Sequence, residues 1–189
     1  MRIIGGDLKG SSLFFSQDKN TRPLKDIARE SIFNLLTHSN KISCKLERSN
    51  ILDLYSGTGS FGLECLSRKA KKVFFIEKDK NIIEILKKNI NKLKFKERVE
   101  IFFNDVFQAI RDQDILKIKF NIIFCDPPFK NIDIKQLIEL IYDKKLLIKN
   151  GLIILHRNKN TIEELPSNFK ILEERYYGIS KIIFGRFLH

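Results

Sequence analysis

From residue 50 to residue 156 the chain alternates short apolar runs with amphipathic ones, and this rhythm limits the fold more than any other feature. The runs at 51–55, 72–76, 98–103, 120–125 and 151–156 predict strands. The stretches at 61–68, 79–95, a segment after Asp105, and 134–143 predict helices. Parallel neighbours in a sheet need a crossover, and a helix supplies it. The alternation therefore predicts a Rossmann-like α/β fold with a mostly parallel sheet and helices on both faces. Two further runs, 169–177 and 180–187, meet at Gly178. They complete seven strands and add an antiparallel C-terminal edge.

The first 40 residues do not follow this rhythm. Arg2-Ile3-Ile4, the turn signal Gly5-Gly6-Asp7 and a run around 12–15 predict a small β-hairpin. Arg22-Pro23 breaks it, and a helix is expected from about 24 to 38. Ala28, Ile32, Leu35 and Leu36 mark its apolar side, while Lys25, Arg29 and Glu30 fall on more polar positions. Residues 39–49 read as a polar linker. The expected organisation is an appendage at 1–40 and a main domain at 41–189.

With 189 residues and 43% hydrophobic content, the chain can bury a core. No run approaches the roughly 18 apolar residues of a membrane span. The N-terminus lacks the apolar stretch of a signal peptide, so a cytoplasmic protein is expected. Cys44, Cys65 and Cys125 are far apart and form no CxxC, which argues against a disulfide framework or a zinc site. The net charge of +12 fits a polyanionic partner. The chain is rich in Lys, Ile, Asn and Phe throughout, so part of that charge is ordinary solvated surface.

Three segments carry chemistry. The run from Ile51 to Gly62 is a strand, a glycine-rich turn and a helix start. Glycines let a ligand approach the backbone, and the helix start offers free N–H groups. Gly57, Gly59 and Gly62 satisfy GxGxxG, which admits a dinucleotide. Asp53 before them would repel a pyrophosphate and suits a ligand with a cationic end. Glu77 ends the next strand, where an acid can take both ribose hydroxyls. Asp79 reads as a helix N-cap. Asp105 follows the third strand and can accept from an adenine amino group, cap a helix, or do both.

The third segment is Asp126-Pro127-Pro128-Phe129. The prolines cannot extend a ladder, yet their carbonyls still accept hydrogen bonds. Two acceptors beside an aromatic plate suit a planar ring with an exocyclic amino group. Asp53, Glu77, Asp105 and Asp126 all follow or end predicted parallel strands, so they should converge on one sheet edge. Gathering four carboxylates there is costly unless a ligand with donor groups is present.

On these residues the chain resembles the class I S-adenosylmethionine-dependent methyltransferases, and within them the RsmD family of bacterial 16S rRNA guanine-N2 methyltransferases. The resemblance rests on Arg2-Ile3-Ile4-Gly5-Gly6 with Gly10 and Leu13. It includes Arg22-Pro23, Asp26, Arg29-Glu30, Phe33-Asn34 and Leu36. It continues through the stretch from Leu52 to Arg68 and the tetrapeptide at Asp126. Two positions depart from the family pattern. Leu24 stands where a small hydroxyl residue is usual, and His156 near a usual strand-ending glutamate; His156 is read as a plain strand-end residue.

The resemblance implies a cofactor, S-adenosylmethionine, and no metal. It implies that Asp53, Tyr55, Ser56, Gly57, Thr58 and Gly59 surround its methionine part. Glu77 would hold the ribose and Asp105 lie by the adenine, with Lys78 and Val106 beside them. Asp126 and Pro127 would hold the target amine, with Pro128 and Phe129 completing the catalytic loop. The implied partner is 16S rRNA, within a small-subunit particle, bound by a monomer. Arg2, Lys9, Arg22, Lys25 and Arg29 are the candidates for phosphate contact. Competing readings are a DNA adenine-N6 or cytosine-N4 methyltransferase and a nicotinamide-dependent oxidoreductase. The latter leaves Asp126–Phe129 without a role.

Overall fold

The computed structural model describes residues 1–16, 26–42, 44–112, 117–128 and 133–188. Seven strands form one sheet: β1 (Asn50–Leu54), β2 (Lys72–Glu77), β3 (Val99–Phe103), β4 (Phe120–Cys125), β5 (Leu147–Asn158), β6 (Phe169–Tyr177) and β7 (Ser180–Phe187). Their order is β3-β2-β1-β4-β5-β7-β6. β1 pairs in parallel with both β2 and β4. The chain thus builds outward from β1 on one side and returns to build on the other. That reversal opens a crevice beyond the C-terminal ends of β1 and β4, where ligands bind in such sheets. Only β7 runs against its neighbours, pairing antiparallel with β5 and β6.

Among the described residues, five helices cover the sheet: α1 (Asp26–His38), α2 (Ser60–Ser67), α3 (Lys80–Lys92), α4 (Val106–Arg111) and α5 (Ile134–Asp143). Strand residues alternate between two apolar clusters, as the pleat requires. Ile51, Ile122 and Phe124 pack in one cluster with residues of α1, α2 and α3. Leu52, Leu54, Ile123 and Cys125 pack in the other with residues of α4 and α5. Phe61 of α2 stacks on Phe33 of α1 at 5.3 Å and on Phe124 of β4 at 4.0 Å. These rings fix α1 and α2 over the centre of the sheet. No helix among the described residues is long and apolar enough to cross a membrane.

Several boundaries differ from the sequence reading. α3 stops at Lys92, and a 3-10 turn, Lys96–Arg98, follows it. Asp79 caps α3 as expected, accepting from the Asn81 and Ile82 N–H groups. β5 starts at Leu147, because a register shift between Phe120 and Ile122 lets the preceding residues join the ladder. The stretch at 39–49 is not merely polar: Ile42 and Leu46 are buried against the α1–α2 cluster.

The N-terminal hairpin is short, with one bridge between Arg2 and Ser12. It is held mainly by α2. Glu64, fully buried, accepts the Ile4 N–H at 2.7 Å and the Arg68 Nε at 2.8 Å. The Ser67 hydroxyl donates to Gly5 O at 2.7 Å and accepts the Leu8 N–H at 3.0 Å. Gly6 sits at φ +74°, and a Cβ there would stand 2.1 Å from Ser67 O. Only glycine fits this approach. Ile3 and Leu13 enter the same cluster as Phe33 and Phe61.

Arg29 corrects an expectation. Its side chain is fully buried rather than on the polar side of α1. Nη2 donates to Arg2 O at 2.6 Å and to Asp26 Oδ1 at 2.8 Å, which ties α1 to the hairpin.

Candidate active site

The turn after β1 is shaped by three left-handed residues: Tyr55 at φ 57°, Gly57 at φ 55° and Gly59 at φ 84°. The Gly59 N–H closes it on Ser56 O at 2.9 Å. Gly59 also has no room for a side chain, since a Cβ would stand 2.4 Å from Leu86 Cδ1 of α3. Gly57 differs: a Cβ there would meet nothing within 4 Å. The outer face of the turn is therefore open at Gly57.

Acidic residues surround this opening. Glu77 accepts the Gly57 N–H at 2.9 Å through Oε2, and the Lys78 and Asp79 N–H groups through Oε1 at 2.8 and 2.9 Å. It thus braces the turn across from its own strand. Asp105 caps α4, accepting the Phe107 N–H at 2.9 Å. Asp53 is almost wholly buried, and its Oδ2 accepts the Gly62 N–H at 3.0 Å. It lies beneath the turn and satisfies the first turn of α2, where Gly59 supplies no side-chain cap. Burial raises its pKa well above the usual carboxylate range; the Gly62 N–H opposes this, and the Asp126 and Glu77 charges add to it. Because β1 lies between β2 and β4 in parallel register, Asp53, Glu77 and Asp126 sit at neighbouring strand ends.

The Tyr55 hydroxyl and Ser56 Oγ are buried and have no hydrogen-bond partner among the described residues. Burial is the main cause raising the Tyr55 pKa, with Cys125 and Asp105 adding and Arg157 opposing. Its ring packs against the apolar cluster that includes Val106 of α4 and Cys125 of β4. Orphaned polar atoms, an open glycine and converging acceptors fit a ligand with hydroxyls and a cationic end. S-adenosylmethionine has both. Thr58 O accepts from Asn89 Nδ2 at 3.0 Å. Lys78 is exposed, and Val106 is buried at the start of α4.

Asp126 leaves β4 beside the turn. Its side chain is 22% exposed, which makes it reachable from the crevice. Pro127 is buried and Pro128 exposed. Phe129 lies outside the described residues. His156 is the residue that sequence reasoning undervalued: its Nδ1 stands 2.7 Å from Asp126 Oδ1. Arg157 donates Nη1 to Pro128 O at 3.1 Å. A signal for both existed, because β5 neighbours β4 and its end must meet the Asp126 segment.

The phosphate-contact candidates are scattered. Arg2 is exposed. Lys9 is exposed on the hairpin turn, which docks at the Ser67 end of α2. That is one helix length, about 12 Å, from the glycine turn. Arg29 is spent inside the protein. Arg22 and Lys25 lie outside the described residues. Asn89 was not anticipated. It is fully buried, and besides Thr58 O it holds the Phe14 backbone, accepting its N–H at 2.7 Å and donating to its carbonyl at 3.0 Å. Phe14 and Phe15, each about half exposed, therefore stand next to the glycine turn.

Comparison with known proteins identifies the family. The family model described as "Conserved hypothetical protein 95" matches residues 1–186. The chain is 34% identical to "Ribosomal RNA small subunit methyltransferase D" of Haemophilus influenzae, over 95% of this chain and 90% of that protein. It is 31% identical to the protein of the same name from Escherichia coli K12, over 94% and 85%. The solved structure described as "Putative methyltransferase yhhF from Escherichia coli" superposes with a TM-score of 0.84 at 27% identity, covering 100% of this chain and 99% of that one. The fold is that of the class I methyltransferases. With nearly its whole length matched, the chain belongs to the Conserved hypothetical protein 95 family, which is the RsmD family its motifs resemble.

Proposed function

We propose that the protein transfers a methyl group from S-adenosylmethionine to the exocyclic N2 of a guanine in 16S rRNA. One observation carries the reading: the Asp126 carboxylate and the adjoining proline backbone stand at the end of β4, beside the open glycine turn at the end of β1. An amine acceptor and a donor site share one crevice. The names of the Haemophilus and Escherichia relatives support rRNA as the substrate. By the family resemblance the position is guanine 966.

Glu77 and the turn it braces hold the ribose and methionine parts of the donor, and Asp105 lies by its adenine. When bound, the donor would supply an electrophilic methyl on its sulfonium and would leave as the thioether, and the proton displaced from N2 would pass to solvent. Asp126 and the Pro127 carbonyl accept the two amino hydrogens. That turns the nitrogen lone pair out of the ring plane and toward the donor site. Catalysis is then orientation plus electrostatics. Phe129 stacks on the target base, a contact worth roughly 1–3 kcal/mol. The base must leave its stack, at a cost smallest in a loop. A loop exposed in a small-subunit particle suits this better than a duplex. Arg2, Arg22 and Lys25 meet phosphates. The enzyme acts as a cytoplasmic monomer and needs neither metal nor membrane.

The test is methyl transfer from labelled S-adenosylmethionine to small-subunit particles and to naked rRNA, followed by nucleoside analysis. N2-methylguanosine is the expected product. Label found only in N6-methyladenine would overturn the guanine assignment.

A further inference from the structure

His156 and Arg157 lie in the last stretch of β5, before Asn158, and both touch the Asp126–Pro128 segment. Cys125 pairs with Leu155 in the parallel β4–β5 ladder, so Asp126, the first residue after β4, stands beside His156 of β5. His156 is buried; its Nδ1 stands 2.7 Å from Asp126 Oδ1 and its Nε2 2.8 Å from Ser180 Oγ. Arg157, also buried, donates Nη1 to Pro128 O at 3.1 Å and Nε to Glu163 Oε1 at 2.5 Å. One residue grips the side chain of the segment and the next grips its backbone.

A carboxylate offers only acceptors, so the ring nitrogen facing it must carry a hydrogen. The partner of one ring nitrogen fixes the role of the other. In the neutral ring Nδ1–H donates to Asp126, and Nε2 accepts the Ser180 hydroxyl hydrogen. Asp126 Oδ1 is then tied to β5, and rotation of the carboxylate is blocked.

We propose that His156 is a positioning residue: it locks the Asp126 carboxylate so that Oδ2 remains aimed at the target amine, with Arg157 fixing the far end of the segment. This rests on the reading of Asp126 as the amine acceptor. An acceptor free to swing loses the near-attack geometry on which orientation catalysis depends. His156→Leu removes the donor. His156→Asn keeps an amide N–H close to the Nδ1 position.

The expected result is a fall in kcat of about 10–100-fold in His156→Leu. Cofactor Kd and the KM for RNA should stay near wild type. His156→Asn should recover most of the lost kcat. A merely structural role would lower the folded fraction of both variants and leave kcat per folded molecule unchanged, and that outcome overturns the proposal. A second measurement needs no substrate. The chain has three histidines, so their ring nitrogens can be resolved by 15N NMR. His156 should show the Nδ1–H tautomer in the wild type. In Asp126→Asn the amide can donate to Nδ1, and the ring should switch to Nε2–H. A neutral His156 ring that carries its hydrogen on Nε2 in the wild type refutes the lock. If wild-type enzyme puts no methyl on guanine N2, the reaction falls, and the tautomer alone decides whether His156 holds Asp126.

Discussion

Glu77 Oε2 accepts the Gly57 N–H at 2.9 Å, so the residue that ends β2 holds the turn that follows β1. The same carboxylate is the candidate acceptor for the ribose hydroxyls. Glu77→Ala removes both at once. Hydrogen bonds to charged groups contribute about 1.5–3 kcal/mol each, so cofactor affinity should fall roughly 10–100-fold by isothermal titration. Glu77→Gln should fall less, because its amide oxygen can still accept from Gly57.

Asp126→Ala should separate binding from turnover. Asp126 stands beyond β4, whereas the turn is held by Glu77 and the Ser56 backbone. Methyl transfer should drop by roughly 100–1000-fold, the scale for losing one preorganised polar group. Cofactor titration should remain close to wild type. Wild-type rates in this variant would refute the amine clamp.

The buried Asp53 makes stability depend on pH, and the sign is fixed. Its folded pKa is raised, chiefly by burial. An unfolded aspartate loses its proton near about pH 4. Above that, the folded state binds more protons than the unfolded one, so stability falls as pH rises toward the folded pKa. Asp53→Asn removes this cost and still accepts the Gly62 N–H through its amide oxygen. The unliganded variant should melt higher at neutral pH and show a flatter pH dependence. It should also bind the cationic cofactor about tenfold more weakly, a difference of roughly 1.4 kcal/mol. An unchanged melting profile across pH would contradict the assignment of Asp53 as a costly buried charge.

Glu64 tests the hairpin. Glu64→Ala leaves the Ile4 N–H and the Arg68 guanidinium without their shared partner. The cost should be about 3 kcal/mol. For a chain of this size that lowers Tm by roughly 6–12 °C. Differential scanning calorimetry reads this directly, and a shift of a degree or less would mean that the hairpin contributes little.

The sheet was readable in the sequence because each strand carries its own apolar run, and the run survives whatever the strand packs against. The converging acids followed from the same logic, since parallel strands end on one edge. What escaped was tertiary. Arg29 was placed outward by residue type, although Arg29, Phe33 and Leu36 share a helical face and all three are buried. Asn89 looks like any polar residue of α3, and its partner Phe14 is 75 residues away. His156 was read from its own strand alone; its meaning comes from β4, through a contact that spans 30 residues. Asp53 reads in the sequence as facing a ligand, whereas its Oδ2 accepts the Gly62 N–H beneath the turn. The sequence cannot distinguish a carboxylate facing a ligand from one facing a helix end.

Glu64 grips Ile4 across 60 residues of chain. During synthesis Ile4 is made first and has no partner until α2 has emerged. The hairpin's own backbone bonds, from Ile3 to Ser11, Gly10 to Ile3 and Leu13 to Met1, form a two-stranded piece too small to hold in isolation. Closing so long a loop costs entropy before any contact repays it. Residues 1–13 are therefore expected to order after α2, and Ile3 and Leu13 gain their apolar cover only once the main body has formed.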